Sequence, residues 1–237
     1  MEIIFVRHGE SLGNFSLANN IDYDMNNDKL TELGKKQAIK TGNILKNYGK
    51  IDIIYHSPIK RCVETANLIA SELKIKNLEE NNLLIEGGEL NHKFNGMNKK
   101  DRDDYMSKQK KYIKLNKDLQ LELNMFNKVK ILEKITNEGI KITNAKPNQF
   151  DIEKNCKKFL NHLKKQNHKK IIVVSHRGTI QMFIKILCNI DANNFLFKIT
   201  QQNTENKIDV NNCSITGIIY KNNKFQLVFP PNTMHLD

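Results

Sequence analysis

Four short stretches of this 237-residue sequence carry side chains suited to one kind of chemistry. The first is Arg7-His8-Gly9-Glu10-Ser11, with Asn14 close behind. The second runs from Ser57-Pro58-Ile59-Lys60-Arg61-Cys62 to Glu64-Thr65-Ala66. The third holds Glu86 and Glu89, and the fourth is Ser175-His176-Arg177-Gly178. An imidazole nitrogen attacks phosphorus only when it is neutral, and nearby cations disfavour the imidazolium. Arg7 and Arg61 can do this for His8. Together with His176 and the neutral donor Asn14, they can also hold the three equatorial oxygens of a phosphoryl group in transfer. Gly9 permits close backbone approach to that group. A carboxylic acid must then protonate the leaving oxygen and later take a proton from water, a role open to Glu86 or Glu89.

Such groups act together only if the chain brings them to one place. Residues 2–6 form a short β-branched apolar run and predict a strand that ends at Arg7. Thr31 is a helix N-cap with Glu32 in the first turn; Leu33, Ala38, Thr41, Leu45 and Tyr48 follow at helical spacing, and Gly49 stops the helix. Residues 51–55 predict a second strand, Pro58 opens a helix over about 59–73, and Leu83 to Ile85 predict a third strand. Residues 90 to about 148, dense in Lys, Asn and Asp, predict an exposed helical insertion. Phe150, Cys156, Phe159, Leu160 and Leu163 line one stripe of a helix over 150–166. Lys170 to Val174 is a continuous apolar run of the kind found in a strand covered on both faces, and a helix follows over 179–188. Strands near 213–220 and 224–229 join through Lys221-Asn222-Asn223-Lys224 as a hairpin. Alternating strands and helices predict an α/β fold with a mostly parallel sheet, whose ligands sit at the carboxyl ends of strands. All four stretches then fall along one edge.

Taken in order, these stretches resemble the histidine phosphatase superfamily, the phosphoglycerate mutase-like proteins. The resemblance rests on Arg7-His8-Gly9-Glu10 with Asn14, on Leu30-Thr31-Glu32-Leu33-Gly34, on Ser57-Pro58 through Arg61 to Glu64-Thr65-Ala66, and on Val174-Ser175-His176. Asn212-Cys213-Ser214-Ile215-Thr216 and Asn232 to His235-Leu236 look like the family's closing elements. It implies a three-layer α/β/α sandwich as a single domain over 1–237, with the insertion at about 90–148 acting as a lid. It also implies a phosphohistidine mechanism on His8 without metal or other cofactor, assisted by Arg7, Arg61 and His176. The family's acid has one glycine four residues on and a second eight residues on. Here Gly96 follows Glu89 by seven and the first glycine is missing, so a one-residue deletion aligns Glu89 with the acid and leaves Glu86 as the rival. Gly96-Met97-Asn98-Lys99 resembles a mutase segment with a substrate-binding lysine. Mutases, however, resemble one another in an arginine directly after the acid and an arginine pair in the lid. This sequence has Leu90 at the first position and only Arg102 in the insertion. The expectation is therefore a phosphatase acting on a small phosphorylated metabolite. A mutase and a non-catalytic phosphate-binding protein are the alternatives.

Composition limits the remaining readings. Lys and Arg outnumber Asp and Glu by 38 to 26, a formal charge of +12, but the only arginines are Arg7, Arg61, Arg102 and Arg177. Nucleic-acid modules cluster arginines or interleave aromatics; here Trp is absent and aromatics total 7%. No specific nucleic-acid partner is expected, only adhesion to polyanions at low salt. No apolar run reaches the roughly 18 residues of a membrane span, and the four-residue N-terminal stretch predicts a strand rather than a leader. Cys62, Cys156, Cys188 and Cys213 form no CxxC pair, which predicts free thiols in a reducing, cytoplasmic setting. The apolar C-terminal strands could form a homodimer edge. Several residues have plainer roles: Cys62 as a packed thiol, Glu10 as a loop-orienting group, and His56, His92, His162 and His168 as ordinary core or surface histidines. Arg61 could also simply pair with Glu64 on its own helix.

Overall fold

The computed structural model describes residues 1–19, 21, 28–86, 152–188 and 210–236. The predicted lid, Glu89 and Lys99 lie outside the described residues. Among the described residues, six strands form one sheet: β1 (Glu2–Arg7), β2 (Ile53–His56), β3 (Leu78–Glu80), β4 (Lys170–Ser175), β5 (Ile215–Lys221) and β6 (Lys224–Asn232). The helices among the described residues are α1 (Leu12–Asn19), α2 (Glu32–Leu45), α3 (Lys60–Leu73), α4 (Ile152–Leu163) and α5 (Arg177–Cys188). The strand order is β3-β2-β4-β1-β5-β6, with β3, β2, β4 and β1 mutually parallel and β5 and β6 antiparallel.

Side-chain alternation along the strands divides the core into two apolar layers. Ile3 and Phe5 of β1 and Ile171 and Val173 of β4 pack with Phe159 and Leu163 of α4 and Phe183 of α5. Ile4, Val6, Ile172 and Val174 point the other way, onto Leu45 of α2 and Cys62, Ala66 and Ile69 of α3. This is the expected three-layer arrangement. Each Ile, Leu, Val and Phe among them, buried completely or nearly so, contributes about 1.5–3 kcal/mol.

Local signals account for most element ends. The Thr31 side chain accepts the Gly34 N–H at 3.0 Å and caps α2. After a 3-10 turn at Lys46–Tyr48, Gly49 takes φ 81° and turns the chain. Asn222 and Asn223 both have positive φ, 51° and 59°, as a two-residue type I′ hairpin turn requires. One expectation is corrected. Leu83 to Ile85 is no strand; β3 lies earlier, at Leu78–Glu80, and Asn82–Leu84 forms a 3-10 turn with Asn81 accepting the Leu83 N–H at 3.0 Å. The apolar residues that looked like a strand instead put Leu84 into the core beneath α4.

Candidate active site

The parallel register sets the carboxyl ends of β1, β2 and β4 side by side: Arg7 lies opposite Ser175, and His56 opposite Val174. The ladder continues one step past the strands, with the His8 N–H donated to Ser175 O at 3.0 Å and the Ser57 N–H to Val174 O at 3.1 Å. His8, Ser57 and His176 are therefore the first residues to leave three adjacent strands, and they meet. The two imidazole centroids are 5.4 Å apart.

His8 is nearly inaccessible, at 2% exposure. Its Nδ1–H donates to the Gly9 carbonyl at 2.8 Å. A carbonyl can only accept, so this bond fixes the tautomer and leaves Nε2 with its lone pair. That lone pair accepts the Arg61 Nε–H at 3.0 Å. The imidazolium is disfavoured: burial, then the charges of Arg61, His176 and Arg7, hold its pKa well below the usual 6.5. His176 is fully buried and shifted the same way, by burial first and then by Arg61 and Arg7. Its Nδ1 accepts the Arg61 Nη2–H at 2.9 Å and its Nε2–H donates to Ser57 Oγ at 2.9 Å. Both rings are neutral, with one lone pair each turned toward Arg61.

Arg61 sits at the centre. Its partner is not Glu64, which instead accepts the Leu30 N–H at 2.7 Å. Arg61 Nη1 donates to Asp28 Oδ2 at 2.5 Å. Asp28 carries no local signal in the sequence: it is one of three aspartates in an Asn-rich run, 33 residues from its partner. The Glu86 carboxylate flanks the same cluster, 3.6 Å from Arg61 Nη2 and 3.8 Å from His176 Nδ1. Its other oxygen accepts the Gly178 N–H at 2.8 Å, in the first turn of α5.

Arg7 donates through Nη1 to Val210 O at 2.9 Å, which ties β1 to the chain before β5. Asn14, on α1, is held by its oxygen: Asn212 Nδ2 donates to it at 2.9 Å while also reaching His8 O at 3.0 Å. The amide oxygen of Asn14 is therefore committed to Asn212, and its Nδ2–H group is the donor that the side chain has to offer. The structure thus brings together His8, Arg7, Arg61, His176 and Asn14 with Glu86, the rival acid, and adds Asp28 and Ser57. Cys62 Sγ lies 3.5 Å from His176 Nε2, but burial pushes its thiol up to about 12, so it is a packed neutral group. Cys156 and Cys213 are also buried thiols outside any disulfide.

Gly9 also has a reason in the fold itself. A Cβ there would come within 2.4 Å of Gly34 O, and one on Gly34 within 2.0 Å of Glu10 O. The Gly9 N–H is taken by Thr65 Oγ1 at 3.1 Å. Gly9 is needed because the loop after β1 lies directly on the first turn of α2. Glu10 orients that loop, as expected, accepting the Thr31 hydroxyl at 2.7 Å and giving its N–H to Gln37 Oε1 at 2.9 Å.

Among the described residues, no group of three or more His, Cys, Asp or Glu is arranged to hold a metal ion, and no helix is long and apolar enough to cross a membrane. The sequence profile of the histidine phosphatase superfamily (branch 1) matches residues 3–116 and 148–233. No curated protein matches the chain. Among solved structures the fold is similar to Bacillus stearothermophilus YhfR, with 14% identity, TM-score 0.68, and coverage of 100% of this chain and 99% of that one. A putative alpha-ribazole-5'-P phosphatase from Escherichia coli superposes with 18% identity, TM-score 0.65 and 98% coverage of both chains. A phosphoserine phosphatase from Entamoeba histolytica, in complex with phosphoserine, has 21% identity and TM-score 0.60 over 99% of this chain and 98% of that one.

Proposed function

We propose, from the premise that this chain belongs to the histidine phosphatase superfamily, that it is a phosphomonoesterase for a small phosphorylated metabolite, acting through phospho-His8. One observation carries this reading: the Nδ1–H bond to Gly9 O leaves the neutral Nε2 of His8 facing Arg61 and His176. In the first step the Nε2 lone pair attacks phosphorus as the ester P–O bond breaks, and the leaving oxygen takes a proton from a carboxylic acid. In the second, that carboxylate takes a proton from water, the hydroxyl oxygen bonds to phosphorus, and the P–N bond returns its electrons to Nε2. Orthophosphate leaves. Arg7, Arg61, His176 and Asn14 surround the position of the transferring group. Lys99 remains a candidate contact for the rest of the substrate.

Two carboxylates compete for the proton. Glu86 is supported by its distances to Arg61 and His176, and Glu89 by its spacing in the sequence. Changing the true acid to Gln is expected to slow turnover by roughly 10²-fold or more. Comparing Glu86→Gln with Glu89→Gln therefore assigns the role, and equal activity in both variants would remove both from it.

The phosphatase names of two structural neighbours agree with hydrolysis. The mutase reading draws on Gly96-Met97-Asn98-Lys99, but such an enzyme must retain a bisphosphorylated intermediate, and point-charge lysines hold one less specifically than arginine forks. Phosphorus NMR separates the readings, using a mixture of phosphate esters that includes 3-phosphoglycerate primed with 2,3-bisphosphoglycerate. Growth of orthophosphate, abolished in His8→Ala, is expected. Interconversion of 3- and 2-phosphoglycerate without release would establish the mutase. An unchanged spectrum across a broad ester panel would favour a protein that binds phosphate without turning it over.

A further inference from the structure

We propose that Asp28 is a positioning residue that fixes which edge of Arg61 faces the reaction. It anchors the far side of the guanidinium so that the Nε/Nη2 edge stays on the two imidazoles. The inference deepens the reading of the site as one of phosphoryl transfer and rests on it.

A guanidinium presents its donors in a rigid plane, and the edge formed by Nε and one Nη is a fork that takes two oxygens of an oxyanion side by side. In this site that fork is donated to His8 Nε2 and His176 Nδ1. To attack phosphorus, His8 must free the lone pair that now accepts from Arg61. The Nε–H must then pass to a phosphoryl oxygen while Arg61 itself stays in place. Among the described residues, the ion pair from the opposite side of the guanidinium is Nη1 to Asp28 Oδ2. Both side chains are largely withdrawn from water, at 12% and 11% exposure, whereas Glu86 is farther away and 29% exposed.

Asp28 is itself held. Its Oδ1 accepts the Gly13 N–H at 2.7 Å, in the first turn of α1. The neighbouring backbone is pinned by the Leu12 N–H to Lys29 O at 2.9 Å and by a bridge between Ser11 and Leu30. Leu30 is pinned in turn by Glu64 of α3, the helix that carries Arg61. The carboxylate is therefore a fixed point between two helices rather than a mobile counter-ion.

The test is Asp28→Asn, which keeps an oxygen for Gly13 and removes the charge that holds Nη1. The expected result is a loss of roughly 10- to 100-fold in kcat/KM, residing in kcat, as for other supports of an oriented catalytic group. Orthophosphate affinity, measured by calorimetry, is expected to stay level or rise because a negative charge has left the site. A purely structural defect would lower phosphate affinity and kcat together. In an Arg61→Ala background Asp28→Asn is expected to cost nothing more, and Asp28→Glu is expected to recover part of the rate. A second readout needs no turnover. The ¹⁵N shift of His8 Nε2 in the ligand-free protein should move in Asp28→Asn, because Arg61 loosens its bond to that nitrogen. An unmoved resonance, or an undiminished kcat/KM, would overturn the proposal. If the resonance moves but the wild-type protein hydrolyses no ester, the positioning role stands and the phosphatase reading falls.

Discussion

The tautomer of one histidine organises the chemistry at the scale of single residues. Only a ring with Nδ1–H bonded to the Gly9 carbonyl presents an unprotonated Nε2 to the cluster, and burial with three cationic or polar neighbours keeps that ring neutral. The consequence for pH dependence has a definite sign. In the proposed mechanism, attack requires His8 without the second proton, and its pKa lies well below the usual 6.5. The acid limb of kcat/KM is therefore expected below pH 6.5, with no His8-linked loss between pH 7 and 6. A half-loss centred at or above 6.5 in the wild-type protein would contradict the assignment. Arg61→Ala removes the strongest charge acting on His8 and is expected to move that limb upward.

At the scale of elements, the site depends on how closely the loop after β1 lies on α2. Gly9 and Gly34 let two backbones cross where any Cβ would collide with a carbonyl oxygen. Thr31 works in both directions there, capping α2 at Gly34 and donating its hydroxyl to Glu10. The far end of α3 offers a contrasting case. Lys74 closes the helix in the left-handed region at φ 56°, with the Ile75 N–H returning to Ala70 O at 2.9 Å and the Lys74 N–H to Ser71 O at 3.2 Å. Glycine adopts that conformation without the Cβ penalty. Lys74→Gly is expected to raise the unfolding free energy by about 0.5–1 kcal/mol in urea titrations, with activity unchanged. A loss of stability would mean that the lysine side chain contributes more than its backbone conformation costs.

The whole molecule carries the cost of keeping two histidines neutral. His8 and His176 both have folded pKa values below the unfolded 6.5, with burial the first cause and Arg61 the next. Above about pH 6.5 neither state binds these protons and folding costs nothing on their account. As pH falls below that value the unfolded chain takes them up and the folded protein does not. Stability then declines by about 1.4 kcal/mol per pH unit for each histidine until the folded pKa is reached. Denaturation at pH 7 and pH 5.5 should show this decline, and His8→Asn should reduce the slope. A flat profile would mean that one or both rings accept a proton in the folded state. Asp52 acts in a different window: the Lys170 and Lys169 backbone N–H groups lower its carboxyl below the usual 3.8. What it contributes is lost only as pH falls through that lower value.

Much of this arrangement was legible in the sequence because its signals are local. Thr31 caps a helix because its hydroxyl reaches an N–H three residues on. Asn222-Asn223 turns a hairpin because both residues tolerate positive φ. The β-branched runs at 2–6 and 170–174 read as strands because their side chains pack on both faces of a sheet. Once those strands are parallel, Arg7-His8 and Ser175-His176 must leave the sheet along the same edge, but that β1 lies next to β4 is decided by the tertiary structure. Other features belong to the tertiary structure alone. Leu83 to Ile85 has a strand's composition but becomes a 3-10 turn, because the edge beside β2 is already taken by Leu78–Glu80. Arg61 passes over Glu64 on its own helix for Asp28, 33 residues away, since only the folded chain decides which carboxylate lies across from the guanidinium. Gly9 was legible as a close approach, but its partner, the Gly34 backbone, was not. Local preferences act within a few residues and leave their mark in the sequence; contacts between distant segments are chosen by packing, after the elements have formed.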